Sequence, residues 1–358
     1  MASNQVVTEA GNPATLSQPD DIATLGGDLF VAYQNGVGPS GEPSPSGTTY
    51  STVVDYRHGQ RAVASWDLTG KVDGLVGDGR THQLVATVDE DSNTSLYTID
   101  PEALPIDQVV HYEYDPANPL PHGGGTDALS VYQGRLLVSA SAPGTVPGSG
   151  TTPATMPAVY TAVLDHHPGQ DTGTASLAPL FYDGSPATVA NTTAPMPSPL
   201  SPNPASYGTV PSLGTEVTLH LSDPDSNGIV AASSPRFGGD FVLDSQGDEQ
   251  LVFLDGDRGG RPEPALHGLD LSQTVNDLAF VTNSGGTLYV DDPSRDQVLA
   301  ITGPMKGGEV LVAATPADAD NPVSAPNYLA TLDMSDGTVS AIPALAGIQP
   351  AGMQLVSR

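Results

Sequence analysis

The sequence predicts an all-β fold on three observations. Helix signals are nearly absent, because 34 Pro and 40 Gly interrupt the chain and the apolar runs between them are short and rich in Val, Leu, Tyr and Thr. A short pattern recurs five times, and each copy precedes a second strand-like run. Repeats of about 40–50 residues with four short strands each are typical of a β-propeller. We therefore predict one six-bladed propeller over residues 1–358, with seven blades as the alternative.

The recurring pattern is an Asp or Asn, one further residue, then Ile or Leu, followed by a short apolar stretch. Its copies are Asp20-Asp21-Ile22, Asp73-Gly74-Leu75, Asp127-Ala128-Leu129, Asn227-Gly228-Ile229 and Asn276-Asp277-Leu278. The runs that follow them are GGDLFVAY, HQLVATVDE, GRLLVSAS, GGDFVLDS and GGTLYVDD. We expect each copy to be the innermost strand of a blade and each following run to be its second strand.

The end of the chain and one long interval need separate interpretation. A degenerate sixth copy, Ala351-Gly352-Met353, lies in the C-terminal QPAGMQLV, which resembles an inner strand. We expect residues 303–345 to supply the rest of its blade, and the last strand to pack beside the beginning of the chain. Residues 184–214 are rich in Pro, Thr and Ser with little strand character, so we predict an insertion loop.

The charge balance excludes several partners. Lys and Arg number 11 against 41 Asp and Glu, a formal net charge of −30, which disfavours nucleic acid and anionic membranes. There is no Cys, so disulfides and thiolate metal sites are excluded. No apolar run approaches the ~20 residues that cross a membrane. We expect a secreted monomer that binds a small molecule, although the first residues lack the apolar segment of a signal peptide.

The pattern residues also predict a metal site. Inner strands surround one central channel, so Asp20, Asp73, Asp127, Asn227 and Asn276 are expected to converge there. Carboxylate and carboxamide oxygens are ligands that Ca²⁺ prefers, whereas Zn²⁺ favours His or Cys, which do not recur at these positions. The alternative is that each Asp or Asn only hydrogen-bonds the backbone of a tight turn.

The same segments resemble a known family, the six-bladed calcium-dependent hydrolases of the gluconolactonase/senescence-marker and paraoxonase type. The contexts Asn227-Gly228-Ile229 and Asn276-Asp277-Leu278 are similar to metal-ligand contexts of that family, while Asp20 stands where the family usually has Glu. The resemblance implies a metal-dependent hydrolase of a neutral lactone or ester in the central channel. In that family the metal polarises the reacting oxygen.

Such a hydrolase also needs a base. His122 is the one histidine just before an inner strand, followed by three glycines, and we predict it as the catalytic base, with an exposed loop histidine as the alternative. The competing function is a non-catalytic propeller, a scaffold or small-ligand binder whose calcium only ties the blades together. A lyase of the streptogramin-opening kind would need a metal-adjacent His and Glu pair that the sequence does not place.

Overall fold

The chain is all-β throughout the described part. The computed structural model describes residues 2–5, 16–144, 155–191, 212–256, 265–283, 285–315 and 326–357. Within these ranges the regular structure consists of strands and a few three-residue 3-10 turns. None of the helical segments there is long and apolar enough to span a membrane. The predicted fold class, an all-β propeller, is confirmed by the arrangement of the sheets around one centre, described below.

Three sets of four antiparallel strands follow one another in chain order. The first set is β2 (Pro19–Leu25), β3 (Asp28–Tyr33), β4 (Tyr50–Arg57) and β5 (Arg61–Thr69). The second set is β6 (Val72–Asp78), β7 (Gln83–Val88), β8 (Ser95–Ile99) and β9 (Val109–Tyr114). The third set is β10 (Gly123–Tyr132), β11 (Arg135–Ala142), β12 (Pro157–His166) and β13 (Thr172–Tyr182).

The second and third sets are joined at their outer strands. Strands β9 and β13 pair in parallel, with His111 opposite Thr172 and Tyr114 opposite Ala175, so the two sets form one eight-stranded sheet. The pairing covers two outer edges that would otherwise expose unpaired N–H and C=O groups.

The fourth sheet has six strands. Its four inner members are β16 (Pro224–Ile229), β17 (Phe241–Ser245), β18 (Gln250–Asp255) and β19 (Ala265–Asp270). Outside them lie β14 (Pro186–Val189), parallel to β19, and β15 (Glu216–Thr218). The prediction that residues 184–214 have little strand character was therefore wrong for 186–189, which extend this sheet. Residues 192–211 lie outside the described ranges.

In the last two sheets, strands that are consecutive in the chain do not all belong to the same sheet. Strand β20 (Thr274–Phe280) pairs with β23 (Val310–Thr315), which is followed by β24 (Tyr328–Asp333) and β25 (Thr338–Ala341). The remaining sheet has the order β26, β21, β22, β1, with bounds Met353–Ser357, Gly286–Asp292, Gln297–Thr302 and Ala2–Gln5. Two predictions were wrong: GGTLYVDD is not the partner of the Asn276 strand, and 303–345 do not complete the C-terminal blade. A local pattern predicts a strand but not its partner, which depends on distant contacts.

Six strands surround the centre of the molecule. Strands β2, β6, β10, β16, β20 and β26 contact one another in cyclic order, and β26 closes the ring against β2. Neighbouring inner strands lie level with each other, since Gly74 is beside the Asp127 carbonyl and Gly352 is beside the Asp20 carbonyl. The strands belong to five sheets, so the blade count of six stays a prediction.

The hydrophobic core lies between neighbouring sheets. One cluster joins the first two sets of strands through Phe30, Trp66 and Leu84, and another joins β10–β13 to β16–β19 through Phe181 and Phe241. Each large side chain buried in this way contributes about 1.5–3 kcal/mol. These layers hold the inner strands, and hence the channel, in fixed positions.

Candidate functional site

The six inner strands enclose a central cavity of about 440 Å³. Each inner strand pairs on one side only, with the second strand of its sheet. Its other edge is not covered by a further strand of that sheet, so backbone N–H and C=O groups face the channel. The channel therefore offers hydrogen-bonding groups along its length as well as the side chains described next.

Five inner strands contain a β-bulge close to where they begin. In β6, Val72 is opposite Val88 and Gly74 is opposite Thr87, which leaves Asp73 as the extra residue. A bulge bends the strand and re-aims the side chain of the extra residue. The residues at this position are Asp20, Asp73, Asp127, Asp225 and Asn276.

The alignment of the fourth copy was wrong by two residues. In β16 the bulge falls between Pro224 and Ser226, so Asp225, not Asn227, is equivalent to Asp73. The side chain of Asn227 accepts a hydrogen bond from Ser130 Oγ. A signal in the sequence was available: Asp225 follows Pro224 as Asp20 follows Pro19.

The other predicted metal ligands lie at or next to the channel. Asp20, Asp73 and Asn276 line it, and so does Asn227. Asp127 is buried, with only 3% of its surface exposed, and Asp225 and Asp73 are among the charges that act on it. Four of the five predicted ligands thus line the channel, and the metal-binding role of all five stays a prediction.

His122 lies elsewhere. It is not among the residues that line the channel, and its ring centroid is 5.8 Å from that of Tyr160 on β12. Its Nδ1 is 2.9 Å from the Gly123 carbonyl, and its Nε2 is buried with no partner in the described part of the chain. Burial lowers the pKa of His122, so the ring is neutral near pH 7. The predicted role as catalytic base stays a prediction, while the alternative, an exposed loop histidine, does not describe this buried ring.

Sequence reasoning missed the cation at the channel mouth. Lys71, one of two lysines in the chain, directly precedes Val72 and Asp73. Its Nζ is 2.5 Å from Asp73 Oδ1 and 2.8 Å from Glu90 Oε1. Burial would lower the pKa of Lys71, but Asp73 and Glu90 raise it above its ordinary value, so the side chain is an ammonium ion.

The observed contacts do not form a calcium ligand set. Among the described residues, no three His, Asp or Glu side chains come together as a group that could hold one ion. Lys71 Nζ forms an ion pair with Asp73, and Asn276 Nδ2 donates a hydrogen bond to Asp225 Oδ2. In the described contacts these carboxylate oxygens are therefore paired with protein donors where a metal ion would otherwise bind, and the calcium prediction stays a prediction.

Two adjacent carboxyl groups in β2 differ in their surroundings. Asp20 Oδ2 accepts a hydrogen bond of 2.6 Å from Gln34 Nε2, whereas Asp21 Oδ2 is buried without a partner in the described structure. Burial raises the pKa of Asp20 to about 6, with Lys71 opposing the shift. Burial, Asp20 and Asp277 raise the pKa of Asp21 well above its ordinary range. Near pH 7, Asp20 is therefore mainly a carboxylate, whereas Asp21 keeps its proton to a higher pH than an ordinary aspartate does.

Comparison with known proteins finds only distant likenesses. No family model matches the chain, and no curated protein matches it. The periplasmic gluconolactonase PpgL of Pseudomonas aeruginosa is similar over 95% of this chain and 88% of its own, at 14% identity and a TM-score of 0.45. Streptogramin B lyase is similar over 99% and 98%, at 9% identity and 0.43. The WD40 β-propeller domain of Doa1 is similar over 99% and 94%, at 10% identity and 0.41. At this distance the likenesses carry no information on activity.

Proposed function

We propose that the protein is a hydrolase that acts on a neutral ester or lactone in the central channel. One observation carries the proposal: the channel mouth gathers carboxyl groups whose pKa values are all raised by burial. They are Asp20, Asp21, Asp73, Asp127, Asp225 and Asp277. Carboxyl groups with perturbed pKa values in a concave site are candidates for general acid–base catalysis.

The pair Asp20 and Asp21 suits this chemistry. Both line the channel, because the bulge in β2 brings consecutive residues to the same side. Asp20, as carboxylate, removes a proton from a water molecule whose oxygen adds to the carbonyl carbon of the ester. Asp21, as carboxylic acid, gives its proton to the leaving alkoxide oxygen when the C–O bond breaks. The products are a carboxylic acid and an alcohol, or one hydroxy acid from a lactone.

The charge of the channel favours a neutral substrate. Asp73, Glu90 and Asp20 act on Lys71, and the charge of this lysine is already matched by its ion pairs with Asp73 and Glu90. An anionic substrate would be repelled by this field, both locally and by the net charge of −30. The free backbone edges of the inner strands supply donors for a substrate carbonyl.

The proposal is tested with a panel of neutral lactones and p-nitrophenyl esters and with matched variants. Asp20→Asn removes the base and Asp21→Asn removes the acid, and each is expected to lower kcat about 100-fold or more. Asp107→Asn, in an exposed loop, is the control and should leave turnover unchanged. If no substrate of the panel is turned over, or if both variants match the control, the hydrolase proposal is wrong.

Metal dependence is a separate proposal taken from the sequence. The acid–base steps assigned to Asp20 and Asp21 use no metal ion. Calcium binding is measured by titration of metal-free protein in a thermal-shift assay, where a ligand of the folded state alone raises the melting temperature. Asp225→Asn and Asp73→Asn should abolish that rise if the bulge residues hold the ion. Turnover that persists in chelator with no calcium-dependent stabilisation would refute metal dependence and leave the acid–base proposal standing.

A second candidate is a non-catalytic binder of a cationic small molecule. The specific observation in its favour is the excess of carboxyl groups over the single described lysine at the channel mouth. Calorimetric titration with a linear diamine separates the two: saturable binding that is lost in Asp225→Asn, without hydrolysis of any ester, supports the binder.

A further inference from the structure

A second cavity opens at the other end of the inner strands. It has a volume of about 450 Å³, close to that of the channel. Its walls come from the end of β2, the turn into β3, the turn between β4 and β5, and strands β21 and β26. It lies remote from the Asp20 bulge, at the junction where β26 closes the ring. We call it the rear cavity.

Apolar side chains form most of the rear cavity's walls. Leu25, Leu29, Tyr289, Leu355 and Val356 contribute to it, and Leu25, Leu355 and Val356 are only half-buried in the described structure. Apolar surface that stays wet in a concave site of this size favours a ligand that covers it. Ligand sites typically combine such walls with a few placed polar groups.

One polar group in the rear cavity has no protein partner. Tyr289 is only 8% exposed, and within the described residues its hydroxyl makes no hydrogen bond. The hydroxyl lies against Gly59, which also lines the cavity, and any Cβ at Gly59 would overlap it. Burial raises the pKa of Tyr289, so the group is a phenol that can both donate and accept. A tyrosine with a nearly buried ring usually has a hydrogen-bond partner for its hydroxyl, and for Tyr289 a molecule in the cavity can supply that partner.

The turn beside Tyr289 is held in place. Asp28 Oδ1 accepts a 2.8 Å hydrogen bond from the His58 backbone N–H and lies 3.5 Å from His58 Nδ1. His58 and Gly59 both have left-handed backbone conformations, with φ of 51° and 67°. The side chain of Asp28 therefore fixes this tight turn against the β2–β3 turn. The mouth of the cavity is preformed, which reduces the entropy cost of binding.

We propose that the rear cavity is a second small-molecule site, for compounds with an aromatic or branched aliphatic body and one hydroxyl group. The apolar walls take the body, and the Tyr289 hydroxyl pairs with the ligand hydroxyl. Anionic analogues are disfavoured by Asp28 and by the net charge of −30. Leu355 lines both cavities, so a ligand here contacts a wall of the channel. This proposal does not depend on the hydrolase proposal.

Three matched probes test the proposed ligand class: p-cresol, toluene, which lacks the hydroxyl, and p-toluate, which is anionic. In thermal-shift and calorimetric titrations of the full chain, p-cresol should bind saturably and more tightly than toluene, and p-toluate should not bind. Tyr289→Phe keeps the shape and should weaken p-cresol binding about three- to tenfold while leaving toluene binding unchanged.

A cavity-filling variant tests the location. Val356→Phe should abolish binding of p-cresol, whereas Val163→Phe, at an exposed position on β12, should leave it unchanged. A magnetisation-transfer NMR contact between the probe methyl group and the Tyr289 ring gives a test that needs no variant. The proposal is overturned if no probe binds saturably, or if p-cresol binds equally to wild type and Tyr289→Phe with no contact to Tyr289.

Discussion

Lys71 lies between two acids at the start of β6 and connects the channel mouth to the loop after β7. Its side chain is 18% exposed, while that of Asp73 is 4% exposed. Gln34 Nε2 reaches the same place, donating to Asp20 Oδ2 at 2.6 Å and to the Val72 carbonyl at 3.0 Å. These two side chains supply donors to Asp20 and Asp73, and Asp73 also accepts a 3.4 Å hydrogen bond from the Glu90 backbone N–H. Removing a donor here leaves a buried carboxylate unpaired, which is more costly than the pair itself is favourable.

Replacing Lys71 tests this dependence at the residue scale. Lys71→Met is expected to lower the free energy of unfolding by about 2–3 kcal/mol, below the value for a fully buried pair because the lysine is partly exposed. The double variant Lys71→Met, Asp73→Asn should recover part of the loss. Lys306→Met, at an exposed position, is the control. Urea unfolding of the four proteins measures the effect, and equal midpoints for both single variants would contradict it.

At the scale of the strands, the second strand of several sheets places a polar side chain behind the bulge of its inner strand. Thr87, opposite Gly74, donates its hydroxyl proton to the Asp127 carbonyl of the next inner strand at 2.5 Å. The corresponding residues are Asp244, opposite Ser226, and Asp291, level with Gly352. Both are completely buried, and none of their carboxyl oxygens has a partner in the described structure. A protonated carboxyl group supplies the same O–H donor as Thr87.

These two carboxyl groups make stability depend on pH. Burial raises the pKa of Asp244, with Asp225, Asp277, Asp223 and Asp248 adding to the shift. Burial likewise raises the pKa of Asp291, with Asp20, Asp21 and Asp277 adding to it. A folded-state pKa above the unfolded value means that the stabilisation is complete below the unfolded pKa, near 3.9, and is lost as pH rises through the folded pKa.

The melting temperature should therefore rise as pH falls through the raised folded-state pKa values of Asp244 and Asp291 toward the unfolded pKa near 3.9. Asp244→Asn and Asp291→Asn keep a donor that does not titrate, so each should flatten this rise. Asp107→Asn should not change it. Calorimetry at a series of pH values measures the slopes, and an unchanged slope in the double variant would show that these groups do not titrate as expected.

The close approach of neighbouring inner strands gives a further test at this scale. A Cβ at Gly352 would overlap the Asp20 carbonyl, whereas a Cβ at Gly228 meets nothing within 4 Å. Gly352→Ala is expected to destabilise the fold by about 1–3 kcal/mol by forcing β26 away from the Asp20 bulge. Gly228→Ala, on inner strand β16, should change stability by less than about 0.5 kcal/mol. Chemical unfolding measures both, and equal effects would refute the tight packing of β26 on β2.

At the scale of the whole molecule, the ring is closed by three separate parts of the chain. The sheet of β26 takes its inner strand from the C-terminus, its middle hairpin from residues that follow β20, and its outer strand from the N-terminus. Along the chain, the hairpin β21–β22 comes between β20 and its pairing partner β23. The last two sheets are therefore interleaved along the chain, and the sheet of β26 is complete only when the C-terminal strand is in place.

Two truncations compare the contribution of the inner strand β26 to stability with that of the outer strand β1. Deletion of 353–358 removes β26, exposes the edge of β21 and opens the channel wall, so we expect loss of cooperative unfolding and aggregation. Deletion of 1–5 removes only the outer strand β1 and should cost less. Thermal unfolding with size-exclusion chromatography compares them. If the C-terminal truncation unfolds at the temperature of the full chain, β26 does not seal the ring.

The sequence by itself determined the features that depend on neighbours along the chain. Short Val-, Leu- and Tyr-rich runs between Gly and Pro are local signals, so the strands, the all-β class and five inner strands were predictable. The Asp or Asn at the start of an inner strand was also predictable, because the pattern recurs in the sequence at Asp20, Asp73, Asp127 and Asn276, where the strands have their bulges. The repeat therefore located the channel mouth.

Only the tertiary structure decided which strands pair and what each side chain meets. The partner of β20 depends on contacts made far along the chain, so local similarity assigned it the wrong hairpin. Asp225, and not Asn227, is the bulge residue because the bulge is fixed by the register with β17. The Pro-Asp step that β16 shares with β2 is a local hint of this position, but the register itself depends on the partner strand. Lys71, Glu90 and Gln34 meet the bulge residues only when separate strands are packed together. Side-chain direction and burial set the chemistry of the channel, and both arise from contacts that the order of residues alone does not specify.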